Sequence, residues 1–129
     1  MIVVDASLVF EYLSGGEAAE RIEERFVEEG LLLHAPEVFP VELLSILRAR
    51  EATIDSPERI KAILEAILYL PVQLYPHSAL LPRIWELRHN ITAHDAAYVA
   101  LAEALDVPLL TRDRKLANST GHHARIEVI

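Results

Sequence analysis

Cysteine is absent from the 129 residues, which excludes disulfides, thiolate metal ligands and thiol nucleophiles. Aromatic residues make up only 6% of the chain, so a core has to be built from aliphatic side chains. No apolar run approaches the ~20 residues needed to cross a bilayer. The N-terminus carries no basic segment, and Asp5 interrupts its apolar start, so no signal peptide is expected. These absences make the cytoplasm the expected compartment and exclude a membrane role. Bases are outnumbered, 12 Lys and Arg against 20 Asp and Glu, for a net charge of −8. That balance argues against a general nucleic-acid coating protein. It does not exclude a nuclease, because clustered acids can be metal ligands whose charge is cancelled on binding.

What is present is a chain with 52% hydrophobic and 25% charged residues, a globular composition of a length that suits one domain over residues 1–129. Its organising stretch is Met1-Ile2-Val3-Val4-Asp5-Ala6-Ser7. The apolar run reads as a strand buried on both faces of a parallel sheet. Asp5 then falls at the strand's C-terminal end, the edge where open α/β sheets bind ligands.

The remaining pattern alternates helices and strands. Ser7 is the expected N-cap of a short helix over Leu8–Leu13, closed by Gly15-Gly16. Glu17–Glu29 reads as a helix with Ala18, Ile22, Phe26 and Val27 facing inward, its glutamates solvated and Gly30 closing it. Leu31–Ala35 is a second buried strand ended by Pro36. A helix from about Val38 to Leu47 carries the stripe Val38, Val41, Leu44 and Leu47, widened by Leu43 and Ile46. Ser56-Pro57 starts a helix running to about Tyr69 on Ile60, Ile63, Leu64, Ile67 and Leu68. Val72–Tyr75 is a third strand, and a helix is expected from about Ser78 to His89. Thr92 opens a helix to Leu105, with Asp95 in the capping-box position. Leu109–Thr111 is a fourth strand, Arg114–Asn118 a short helix, and Arg125–Ile129 an edge strand. This alternation implies an α/β fold, a parallel sheet covered by helices on both faces.

Four acids then need a reason to be where they are. Asp5, Asp95 and Asp113 each have a local alternative as a turn or helix-capping residue. Glu42 is harder to explain locally. It is the one acid in the apolar stretch Val38–Leu47, and Arg48 lies about 1.7 turns on, pointing elsewhere. One divalent cation would account for all four, since Mg²⁺ and Mn²⁺ take oxygen ligands. Without it their like charges would raise one another's pKa values.

The order of these acids resembles the PIN-domain nucleases, and most closely the VapC-like toxins of prokaryotic toxin–antitoxin pairs. The motifs that carry the resemblance are Val3-Val4-Asp5-Ala6-Ser7, Pro36 through Glu42 to Leu47, Thr92-Ala93-His94-Asp95 through Ala102, and Leu109-Leu110-Thr111-Arg112-Asp113-Arg114-Lys115-Leu116. The resemblance spans the whole chain and implies a five-stranded parallel sheet between helices. It makes Asp5, Glu42, Asp95 and Asp113 the catalytic and metal-binding acids, with Ser7 and Thr111 as supporting hydroxyls. It implies Mg²⁺- or Mn²⁺-dependent endonucleolytic cleavage of RNA leaving a 5′-phosphate, a homodimer, and a cognate antitoxin in the active-site groove. Family members often carry a polar residue, commonly Asn, one turn after the glutamate; Ser45 and Ile46 stand there in this chain.

Arg112, Arg114 and Lys115 flank Asp113, and Arg83 and Arg88 precede Asp95; these are candidates to hold substrate phosphates, with surface solubility as the alternative. A catalytically silent module that keeps the acidic pocket for an RNA or an antitoxin is the rival reading. An aspartyl-phosphate enzyme fits less well, because Ser7 stands where its second Asp is usual. A DNA-directed 5′ nuclease needs a helical arch for which the chain is too short.

Overall fold

In the computed structural model, which describes residues 1–129, the first strand β1 (Ile2–Val4) is buried throughout. Helix α1 (Ala6–Leu13) follows at once, and its N-cap is Asp5 rather than Ser7. The Asp5 backbone is extended (φ −91°, ψ 163°) and its carboxylate accepts from the Leu8 N–H at 2.9 Å, while Ser7 already lies inside the helix. Helix α2 (Ala19–Glu28) buries Ile22 and Phe26, but Val27 faces solvent. It ends in a Schellman-type turn. Gly30 takes φ 81°, its N–H bonds the Val27 carbonyl at 3.1 Å, and the Leu31 N–H bonds the Phe26 carbonyl at 2.9 Å. Leu31 itself has φ 65°, so the chain is still turning there, and Leu31 and Leu32 are exposed. Strand β2 therefore occupies Leu33–Pro36, later than the apolar run suggests.

Helix α3 (Phe39–Arg50) has Pro40 in its first turn, where a missing N–H costs nothing. It buries Phe39, Leu43 and Leu47, whereas Val41 and Leu44 of the expected stripe are 64% and 44% exposed. The helix is apolar on nearly every side, so the i, i+4 series 39/43/47 and the i, i+3 series 38/41/44 compete, and sequence alone does not separate them. After a 3₁₀ turn (Glu51–Thr53), α4 (Pro57–Tyr69) starts as expected, with Ser56 Oγ accepting from the Arg59 N–H at 3.3 Å. It buries Ile63 and Ile67 and leaves Leu64 and Leu68 outside.

Strand β3 (Val72–Tyr75) leads to α5, which is confined to Leu81–Glu86 because Pro82 sits in its first turn and the flanking residues form turns. Helix α6 (Ala93–Leu105) runs from its Thr92 cap to Asp106, which adopts a left-handed φ of 52°. Ala96, Ala97, Ala100 and Ala102 are buried, and their small side chains let α6 lie close over β1 and β2. Strand β4 (Leu109–Thr111), α7 (Arg114–Ala117) and strand β5 (Ile126–Val128) complete the chain.

The five strands form one parallel sheet in the order β3-β2-β1-β4-β5. Helices α1 to α4 pack together on one side, and α5 with α6 cover the other. β1 is the central strand and β4 its interior neighbour, both fully buried, which is why their residues are apolar without alternation. The chain leaves β1 toward β2 and β3, then returns to β4 on the opposite flank. The direction of winding therefore reverses between β1 and β4, and a crevice opens at their C-terminal ends.

The reassigned face of α3 is testable by two alanine substitutions. Leu43→Ala should destabilise the protein by about 2–5 kcal/mol in chemical denaturation, and Leu44→Ala by less than about 1 kcal/mol. The reverse order would restore the Val41–Leu44 face as the inner one.

Candidate active site

All four acids stand at the starts of helices. Asp5 caps α1, Glu42 lies in the first turn of α3, Asp95 in the first turn of α6, and Asp113 caps α7. Because the sheet is parallel, these starts gather along its C-terminal edge, where helix dipoles favour negative charge.

Asp5 sits in the β1–β4 crevice and is 8% exposed. Its Oδ1 accepts from the Leu8 N–H at 2.9 Å and from the Ser7 hydroxyl at 3.0 Å. Its Oδ2 accepts from the hydroxyl of Thr111, a fully buried residue at the end of β4. The Thr111 oxygen in turn accepts the Asp113 N–H at 2.9 Å, so a relay of hydrogen bonds ties the β4–α7 turn to Asp5. Burial pushes the Asp5 carboxyl above its ordinary value; the Thr111, Leu8 and Ser7 hydrogen bonds oppose that, and the charge of Asp95 adds to it.

Glu42 lies one residue from Leu43, so it projects about 100° away from the buried stripe of α3. Its Oε1 is buried and has no hydrogen-bond partner. Burial raises its pKa, His94 and the Tyr98 hydroxyl oppose the rise, and Asp95 and Asp5 reinforce it. Asp95 lends its N–H to Thr92 Oγ1 at 3.4 Å, but its carboxylate accepts no hydrogen bond from the chain. The capping box is thus half built, and the acid is left free. Asp5, Glu42 and Asp95 are therefore brought together electrostatically from β1, α3 and α6.

Asp113 is placed differently. It is exposed, and its Oδ1 accepts from the Lys115 and Leu116 N–H groups at 2.8 and 3.3 Å. It joins the other acids only through the Thr111 relay. Arg112 pairs loosely with Glu11 at 3.6 Å, whereas Arg114 and Lys115 are exposed and make no ion pair. Arg112 and Arg114 also line an open cleft of about 950 Å³ with Arg21 and Arg25, between α2 and the α7–β5 end. That cleft does not include Asp5, Glu42 or Asp95. Arg83 is not available to a substrate: it bonds Glu103 at 2.8 and 3.1 Å, Glu86 at 2.9 Å and the Gly121 carbonyl at 3.2 Å. Arg88 lies over the Trp85 ring at 4.3 Å.

Two residues that the sequence pattern did not mark support this edge. His77 Nε2 accepts the Val38 N–H at 3.2 Å, capping α3 from outside because Val38 has no side-chain acceptor. Tyr98, one helical turn after Asp95, is 1% exposed, and its hydroxyl is buried without a hydrogen-bond partner. Its i+3 spacing from Asp95 was the available signal.

The donor set suits a hard divalent cation. It is all carboxylate oxygen, Glu42 Oε1 is an orphaned buried atom, and Asp95 has both oxygens free of protein donors. The fit is one of donor type, charge and unmet bonding. Nowhere do three or more His, Asp or Glu side chains already stand at ligating distance of one point.

Raised carboxyl pKa values have a defined consequence for stability. Asp5 and Glu42 start from 3.8 and 4.5 in their ordinary state and are both higher in the fold. The folded protein holds their protons longer than the unfolded chain, so their contribution is fully present below about pH 4 and is lost as pH rises through the folded values. In metal-free buffer, the melting-temperature gain of Asp5→Asn over the native protein should grow with pH from 4 to 8. A gain that shrank would mean that ionised Asp5 stabilises the fold. Separately, Thr111→Val keeps the shape but strands Asp5 Oδ2 and the Asp113 N–H, and should cost about 1–3 kcal/mol in denaturant titration.

Comparison with known proteins places this architecture. The family model described as PIN domain matches residues 2–120. Ribonuclease VapC1 of Mycobacterium tuberculosis is 40% identical over 129 residues, covering 98% of this chain and 96% of that one. Among solved structures, PAE2754 from Pyrobaculum aerophilum superposes with a TM-score of 0.70 at 21% identity, covering 98% of this chain and 83% of that one. VapBC2 from Rickettsia felis, solved bound to a DNA fragment from its promoter, superposes with a TM-score of 0.65 at 16% identity, covering 99% and 98%. With a five-stranded parallel sheet in common and a 40% identical relative aligned nearly end to end, this chain belongs to the PIN-domain family.

Proposed function

We propose that this chain is a metal-dependent endoribonuclease, a VapC-like toxin that hydrolyses RNA phosphodiester bonds and leaves a 5′-phosphate. The observation that carries the reading is the convergence of Asp5, Glu42 and Asp95 at the winding reversal of a PIN-domain sheet, with Glu42 and Asp95 holding unmet bonding capacity. The name of its 40% identical relative, Ribonuclease VapC1, supports the substrate class.

In this reading Asp5, Glu42, Asp95 and Asp113 hold Mg²⁺ or Mn²⁺. When bound, the cation neutralises charge at the scissile phosphate and lowers the pKa of the attacking water. Ser7 and Thr111 hold the Asp5 carboxylate in one orientation, so that it meets the substrate side of the crevice without reorganising. Arg114 and Lys115 are free to take RNA phosphates, and Arg112 does so in competition with Glu11. Residues 1–129 act as one PIN domain. A cognate antitoxin is the expected partner, supported by the toxin–antitoxin pair VapBC2 among the structural neighbours. A homodimer and a cytoplasmic location complete the proposal.

The test is cleavage of total cellular RNA by the purified protein with Mg²⁺, with Mn²⁺ and with chelator. Discrete fragments should appear with a divalent ion and vanish with chelator. Asp5→Asn and Asp95→Asn should each lower the rate by more than about 100-fold, beyond the usual cost of losing a residue that only supports a metal ligand. Retained activity in either variant would remove that residue from the site. A folded, antitoxin-free protein that cleaves nothing would favour the silent binding module.

A further inference from the structure

We propose that Glu11 is a built-in rival of the RNA phosphate: seated where α2 begins, its carboxylate holds the Arg112 guanidinium loosely and yields it to a phosphate of the bound strand. The inference rests on the nuclease reading above and extends it to a residue outside the four acids, one that sets how tightly RNA is held.

Glu11 is fixed more firmly than the cation it holds. It lies near the end of α1, six residues and roughly 9 Å along the axis from the Asp5 cap. Its Oε1 accepts from the Ala18 N–H at 3.1 Å, at the start of α2, a helix whose own cap residue has no side-chain acceptor. The carboxylate also rests against Gly16, where a Cβ would overlap both of its oxygens. The Gly16 N–H bonds the Glu11 carbonyl at 2.9 Å, so the α1–α2 turn and the side chain lying on it form one unit. A bare glycine is thus the seat of the carboxylate.

Arg112 is held differently. Its backbone is fixed on both sides, because Thr111 donates to Asp5 and takes the Asp113 N–H at 2.9 Å. Its side chain is not. One guanidinium nitrogen lies 3.6 Å from Glu11 Oε1, too far for a hydrogen bond, and the side chain is 30% exposed. The donors of the guanidinium fork therefore stay open to a phosphate, which takes two of them at once. Losing the arginine does not strand Glu11, which keeps its bond to Ala18 and its contact with water. Arg112 also opens onto the cleft between α2 and the α7–β5 end, beside Arg114 and Arg21. Arg25 in the same cleft is taken by three acids, Glu28, Glu29 and Glu127. Arg112 alone among these arginines has a single, loose partner. A strand that leaves the acids past Asp113 meets Arg112 and Arg114 first, so the phosphate in question is one that flanks the scissile bond.

The test is the affinity of a labelled oligouridylate, read by fluorescence anisotropy in chelator so that nothing is cut. The native protein is compared with Glu11→Gln, Gly16→Ala, Arg112→Gln and the double variant of Glu11 and Arg112. Glu11→Gln removes the charge and keeps an oxygen for the Ala18 N–H. Gly16→Ala leaves the net charge alone and pushes the carboxylate off its seat, at a position that needs no left-handed backbone. Each should bind the RNA about 2–5-fold more tightly, the worth of an exposed ion pair. Arg112→Gln should bind more weakly than the native protein, and adding Glu11→Gln to it should change little, because the rival has nothing left to hold. With Mn²⁺ present, the half-saturating concentration of total cellular RNA should fall by the same factor in Glu11→Gln while kcat stays the same, the mark of a change in binding alone. Unchanged or weaker RNA binding in Glu11→Gln would overturn the proposal, the weaker case by showing that Glu11 positions Arg112 for RNA. An equal gain with and without Arg112 would overturn it too, as a general effect of charge. If Gly16→Ala fails to fold, the Glu11→Gln cycle decides alone. Native protein and variants that bind in the expected order but cleave no RNA would sink the nuclease reading alone; native protein that neither binds nor cleaves RNA would sink both.

Discussion

The hydrogen bond from Thr111 to Asp5 is the interaction on which the rest of this structure depends. It joins the end of the central strand to that of its neighbour β4 across the crevice where the sheet reverses its winding. Without a donor there, an acid only 8% exposed would be a buried charge facing a neighbouring strand. With it, the acid becomes a fixture of the fold. Asp5 Oδ1 starts α1, Oδ2 holds β4, and the Thr111 oxygen passes the constraint to Asp113, which starts α7. One carboxylate thereby sets the relative position of two helix starts and of two acids. It is held for geometry at a cost in stability, since burial still favours its neutral form.

The other acids use the same device in weaker form. A parallel sheet sends every following helix back from its C-terminal edge, and each helix start leaves N–H groups that need acceptors. Asp113 satisfies two of them. Glu42 and Asp95 do not satisfy any with their carboxylates, because α3 is capped by His77 and α6 by Thr92. That division of labour matters. Where a neighbouring residue takes over the capping, the acid is released from structural duty and its oxygens stay available. The two most available carboxylates are those whose helices are capped by another residue.

This explains what was legible in the sequence. The β1 and β4 strands, the caps at Ser56 and Thr92 and the strand Val72–Tyr75 are local patterns, and each appears where the pattern puts it. The four acids could be listed from the chain, but their unequal roles could not. Asp113 caps a helix in the open, whereas half-buried Glu42 keeps one buried oxygen without a partner, and only tertiary packing makes the difference. The inner face of α3 was misread because an almost uniformly apolar helix carries no angular information. Leu31 was misread because a left-handed residue after Gly30 extends the turn into an apolar run. The engagement of Arg83 was not legible, because its partner Glu103 lies twenty residues on, beyond any helical spacing.

A chain of net charge −8 that acts on RNA must solve an electrostatic problem, and the arginines show how little help comes from the surface. Arg25 is engaged by Glu28, Glu29 and Glu127, Arg83 by Glu86 and Glu103, and Arg112 by Glu11. In the large cleft, Arg21 and Arg114 remain unpaired, but Glu17, Glu24, Glu28 and Glu127 line the same walls. No broad positive field is left to draw RNA in from a distance. On the proposed reading, affinity then has to come from a few close phosphate contacts and from the cation between Asp5, Glu42 and Asp95. Loading of the cation would cancel most of the negative charge at the very edge where the phosphate must lie. Substrate binding and catalytic competence would therefore be coupled through one event.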